Sequence, residues 1–171
     1  PEDFRGVVAT FLDAFPDSQL WEESAAGGDY FLVGRREGRR ASLADVEERI
    51  RQNASLREDL TRAEVGGLPH FLTRFISAGE PLRKFARGAR RITDDNLRLE
   101  YSAPREIWKN RLPGLLASLE AIRESPAAGF PEISGRGWEN LRSSLAELER
   151  ERRERMRLAL SLGRRDLEAL S

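Results

Sequence analysis

The chain contains no cysteine, which excludes disulfides, thiolate metal sites and a cysteine nucleophile. It has one histidine, His70, which excludes a histidine-rich metal site and any two-histidine mechanism. An excess of one charge sign is also missing, because 29 Lys and Arg residues balance 29 Asp and Glu residues. Nucleic-acid binders normally carry a basic surplus, so no nucleic-acid partner is expected. No apolar run approaches the roughly 20 residues of a membrane span, and no signal peptide opens the chain. The first residue is Pro1 rather than Met, which leads to the expectation that the chain is a piece of a longer protein.

What is present is 171 residues, enough for one domain with or without a small appendage. Apolar residues make up 39% and charged residues 34%, a charge-rich but globular composition. Phe4, Val7, Val8, Phe11, Leu12 and Phe15 follow an i, i+3, i+4 spacing, so the chain is predicted to open on an amphipathic helix ended by Pro16. Gly6 and Thr10 weaken that helix intrinsically, so burial must hold it.

Two strand-like runs follow, residues 18–23 and 30–34, separated by a turn-forming loop over 24–29, which together read as a β-hairpin. The second run, Tyr30-Phe31-Leu32-Val33-Gly34, is apolar on both faces, as expected for an interior strand of a sheet covered on both sides. Two strands cannot build such a sheet, so part of it is expected to lie outside the chain. Ser42 is predicted to cap a helix to about Gln52, with Asp45 completing a capping pattern. A short helix starts at Leu56, and Leu68, Phe71, Leu72, Phe75 and Ile76 read as a further amphipathic helix reaching Gly79. Leu82, Phe85 and Ala86 add a helical turn or two.

Leu97, Leu99 and Tyr101 alternate with Arg98, Glu100 and Ser102, the pattern of a half-buried strand. Helical spacing returns from Ile107 to about Glu124, with a kink or split expected at Pro113-Gly114. Residues 126–137 read as a linker. A helical tail begins at Trp138, contains favourable i, i+4 pairs Glu149–Arg153 and Glu151–Arg155, and is expected to break or end at Gly163.

The run from Phe4 to Pro16, then Leu20-Trp21, then Gly28-Asp29-Tyr30-Phe31-Leu32-Val33-Gly34, resembles the last helix and terminal hairpin of spermidine synthase-like proteins. The run from Thr93 to Arg105 is similar to a segment of the bacterial branch of that family, often fused to a membrane transporter-like region. Leu97 departs from the pattern, because relatives commonly carry proline there. The resemblance covers about the first 105 residues. It implies an α+β fragment: the C-terminal helix and β-hairpin of a class I methyltransferase-like α/β fold, followed by a mostly helical extension. The segments are then 1–41 as the end of the methyltransferase-like domain, 42–105 as family-specific helices and a late strand, and 106–171 as a helical tail. The parent family transfers an aminopropyl group from decarboxylated S-adenosylmethionine to a polyamine. Its nucleotide-binding glycine-rich loop opens a helix after the first strand. Here Gly27-Gly28 joins two antiparallel strands instead, and the family's acidic catalytic motif lies upstream. No catalytic or cofactor-binding residue is therefore carried over, and no metal is implied.

The partners implied are the remainder of the parent chain and a polyamine, with oligomer formation left open. The compartment implied is cytoplasmic, or tethered to the inner membrane through a part of the parent outside this chain. Asp94, Asp95 and Glu100 are the candidate substrate-binding residues, since clustered carboxylates suit spaced ammonium groups. The same carboxylates also suit a divalent cation or a simple polar turn. Trp21 and Tyr30 are candidates for facing each other across the hairpin, as a ligand stack or a structural pair. His70 reads as a lone acid–base group or a packing residue, and Arg35, Arg36, Arg39, Arg40, Arg87, Arg90 and Arg91 as an anion-facing cluster or a solvated surface. The alternative to a synthase-like fragment is a helical protein-interaction module without enzymatic activity.

Overall fold

The computed structural model describes residues 2–23, 29–35, 42–93 and 112–168. The predicted opening helix forms as α1, Glu2–Ala14, and the hairpin as β1, Ser18–Glu22, and β2, Tyr30–Gly34. Then come α2, Leu43–Gln52; α3, Ala54–Arg62; α4, Leu68–Leu72; β3, Phe75–Ala78; and α5, Gly79–Ala86. After residue 111 follow α6, Leu112–Ile122; the single turn α7, Pro126–Gly129; a 3-10 turn, Pro131–Ser134; and α8, Glu139–Glu168.

The three strands form one antiparallel sheet in the order β2-β1-β3. Helices cover both faces. On one side Val8 and Ala9 of α1, Leu82 and Phe85 of α5 and Leu119 of α6 close over Leu20 and Ile76. On the other, Leu43, Leu68, Leu72, Ile133 and Leu145 close over Trp21 and Phe75. Each cluster draws on distant stretches of sequence.

Local chemistry explains several boundaries. Ser42 Oγ accepts the Asp45 N–H at 3.1 Å while the Asp45 carboxylate accepts the Ser42 N–H at 3.4 Å, the reciprocal cap read from the sequence. The Leu43 N–H, which the cap leaves over, donates to Glu132 Oε1 at 3.1 Å. Ser42→Ala is expected to cost about 1 kcal/mol; urea unfolding measures it, and an unchanged midpoint contradicts the role of the cap. In α1 the weak helix formers have a tertiary purpose. A Cβ on Gly6 would lie 2.6 Å from the Arg90 carbonyl oxygen, so glycine admits that backbone against the helix. Thr10 Oγ1 accepts the Ile92 N–H at 2.8 Å on the same face.

Four expectations are corrected. Phe75 and Ile76 do not continue a helix; α4 stops at Leu72, and Phe75–Ala78 is a strand against the free edge of β1. Among the described residues β2 is an outer strand rather than an interior one, with Phe31 and Val33 each 51% exposed. Residues 126–137 are not a bare linker, because Ile133 is buried and Phe130 packs against Trp21. Helix α8 runs through Gly163 to Glu168. Pro113 and Gly114 fall in the first described turn of α6, and residues 107–111, on which the expected kink or split depends, lie outside the described residues. The proposed strand Leu97–Tyr101 lies outside the described residues.

Candidate functional site

Two features stand out, one on each face of the hairpin. On the face of α2 and α4, the Trp21 ring lies tilted against Phe71 with centroids 4.9 Å apart. It meets Phe75 and Phe130 edge-on at 5.4 and 6.0 Å. Its Nε1–H donates to Gln19 Oε1 at 3.2 Å. Beside this aromatic wall lies a cavity of about 450 Å³, bounded by Phe31 and Val33 of β2, Val46 of α2, Leu60 of α3, and Val65. That volume is within the range of small-molecule sites. The charged residues along it are Asp17, Glu22, Glu23, Arg35 and Arg74. Arg35 pairs with Asp17, Glu23 is exposed, and the Arg74 Nη2–H donates to the Ala63 carbonyl at 2.9 Å.

On the opposite face Glu22 is buried at 4% exposure. Arg123 Nη2 donates to Glu22 Oε2 at 2.6 Å, its Nε to Glu120 Oε1 at 2.8 Å, and its Nη1 to the Phe75 carbonyl at 2.6 Å. Arg152 of α8 grips the Glu120 carboxylate with both Nη atoms, at 2.7 and 3.0 Å. Signs alternate along Glu22–Arg123–Glu120–Arg152, so the network carries no net charge and ties β1 to α6 and α8. Glu22 Oε1 and the hydroxyl of Tyr30, its cross-strand neighbour, are buried without a hydrogen-bond partner among the described residues. Burial pushes the Glu22 carboxyl up, against the pull of the Arg123 and Arg152 charges. Burial likewise pushes the Tyr30 hydroxyl up, with the Glu22 charge adding to it.

Glu120 goes the other way. Burial opposes its charge, but the Arg152 hydrogen bond and the Arg123 charge outweigh it and hold the carboxyl below the usual range. A lowered folded value means that Glu120 stabilises the protein fully above the unfolded pKa of about 4.3 and loses that contribution as pH falls further. Glu120→Gln is therefore expected to flatten the acid limb of the stability curve below about pH 5. Urea midpoints across that range test it, and an unaltered acid limb contradicts the assignment.

Asp94, Asp95 and Glu100 lie outside the described residues, as do Arg36, Arg39 and Arg40. Trp21 and Tyr30 do not face each other. The register pairs Trp21 with Phe31 and Glu22 with Tyr30, so the two rings lie on opposite faces, and Tyr30 packs edge-on against Phe4 at 5.2 Å. His70 is exposed on α4. The described arginines of the basic cluster are dispersed: Arg91 clasps Asp13 at 2.6 and 2.8 Å, and Arg87 reaches Glu80 at 3.2 Å.

Sequence reasoning missed the buried ion network. Its legible signals are Glu22, which shares the alternating buried face of Ser18 and Leu20, and the i, i+3 spacing of Glu120 and Arg123. Among the described residues no group of three or more His, Asp or Glu side chains is placed to hold a metal ion, and no helix is long and apolar enough to cross a membrane. Comparison with protein-family models, curated proteins and solved structures finds no match to this chain.

Proposed function

We propose that this chain is the C-terminal portion of a spermidine synthase-like protein, non-catalytic by itself, whose β2 edge continues into the sheet of a preceding methyltransferase-like unit. One observation carries the reading: β2 is apolar along its length, yet among the described residues it is an outer strand with Phe31 and Val33 half bare. Edge strands normally carry charges, bulges or proline to block further pairing, whereas a strand apolar on both faces suits a sheet interior. The helix-then-hairpin order of α1, β1 and β2 agrees with the resemblance.

In this reading decarboxylated S-adenosylmethionine is the co-substrate of the parent and is held by residues upstream of this chain. Asp94, Asp95 and Glu100 contribute a wall that pairs with polyamine ammonium groups. Calorimetric titration with spermidine and putrescine tests the wall. Saturable binding at millimolar or better affinity, lost in Asp94→Asn/Asp95→Asn, is expected; no binding, or binding unchanged in the double variant, contradicts it. Aminopropyl transfer by this chain alone overturns its non-catalytic standing. A second reading, a helical interaction module without enzymatic activity, draws on the half-open apolar cavity between β2 and helices α2–α4.

A further inference from the structure

We propose that the cavity beside Trp21 binds an amphipathic carboxylic acid, its apolar body in the pocket and its carboxylate on Arg74. The interior offers almost only carbon: Phe31, Val33, Val46, Leu60, Val65 and Phe71. An apolar body gains by leaving water for such a surface. The half-exposed side chains of Phe31 and Val33 are the part of the wall that a ligand would cover.

The head group follows from the rim. Asp17 and Arg35 satisfy each other, and Glu22 is engaged by Arg123 on the far face of the sheet. That leaves Glu23 and Arg74 to meet a ligand. Glu23 is exposed, so water screens its charge. Arg74 is partly buried and fixed by its bond to the Ala63 carbonyl, and among the described residues its guanidinium meets no carboxylate. A guanidinium held at an apolar mouth with donors to spare is matched by a carboxylate, which accepts two parallel N–H bonds from it.

The test is calorimetric titration of the whole chain with decanoate, decanol and decylammonium. Decanoate is expected to bind about tenfold or more tightly than decanol, the discrimination of one charge-assisted contact. Decylammonium is expected to bind more weakly than either. Arg74→Gln should erase the preference for decanoate over decanol. Val33→Trp should block decanoate by filling the mouth of the cavity, with the urea midpoint retained because residue 33 is half exposed. Equal affinity for decanoate and decanol, tighter binding of decylammonium, no binding of decanoate, or decanoate binding indifferent to either substitution overturns the proposal.

Discussion

Replacing Arg123 with alanine is expected to destabilise the protein by about 3–5 kcal/mol at neutral pH. The Arg123 side chain is 10% exposed, and its guanidinium serves three acceptors at once, the Glu22 and Glu120 carboxylates and the Phe75 carbonyl. Without it Glu22 keeps a buried charge, one oxygen of which already lacks a hydrogen-bond partner among the described residues. The chain's own escape is protonation. Burial already pushes Glu22 up, and losing Arg123, which holds it down, pushes it further. A raised folded pKa favours the folded state at low pH and costs stability as pH rises through it. The deficit of Arg123→Ala should therefore be larger at pH 7 than at pH 4 in urea unfolding. Equal deficits at the two pH values contradict a buried, charged Glu22. Glu22→Leu/Arg123→Met should recover part of the loss, because removing both partners leaves no uncompensated charge.

Phe75→Ala is expected to cost about 3–5 kcal/mol, the range for truncating a buried phenylalanine. Phe75 is 1% exposed, meets the Trp21 ring edge-on, and presses so closely on Gly129 that a Cβ there would lie 2.8 Å from its ring. The control is Phe31→Ala, where the same side chain is half exposed and the expected cost is below about 1 kcal/mol. Thermal or urea unfolding of the two variants separates them. Similar losses would mean that β2 and β3 are equally buried, against the observed sheet order.

The contrast between those two phenylalanines marks where the sequence was legible. The spacing of Phe4 to Phe15 and the cap Ser42–Asp45 encode local structure, and both elements form as read. The pairs Glu149–Arg153 and Glu151–Arg155 are present at 3.7 and 3.9 Å. Phe75 and Ile76 fit the helical period of Leu68, Phe71 and Leu72, yet the bare edge of β1 draws them into a strand. Pairing with β1 is a non-local gain that outweighs local periodicity, and only the β-branched and aromatic character of Phe-Ile hints at it. Gly163 costs a helix about 1 kcal/mol, too little to end α8 among arginines and leucines that favour it. The orientation of Trp21 and Tyr30 depended on register, where one residue moves a side chain to the other face. Within the ion network only Glu120 and Arg123 carry a local signal, their i, i+3 spacing, whereas the links from Arg123 to Glu22 and from Arg152 to Glu120 span 101 and 32 positions, and no local pattern marks them.

Amide hydrogen exchange along β2, residue by residue in the chain on its own, tests most directly the proposal that the sheet continues beyond β2. Successive amides of an antiparallel strand point alternately to its two neighbours. With β1 on one side and, among the described residues, no strand on the other, exchange across Tyr30–Gly34 is expected to alternate between protected and fast. Uniform protection across those positions would contradict the account: β2 would already have two partners within this chain, with Leu97–Tyr101 the candidate for the second.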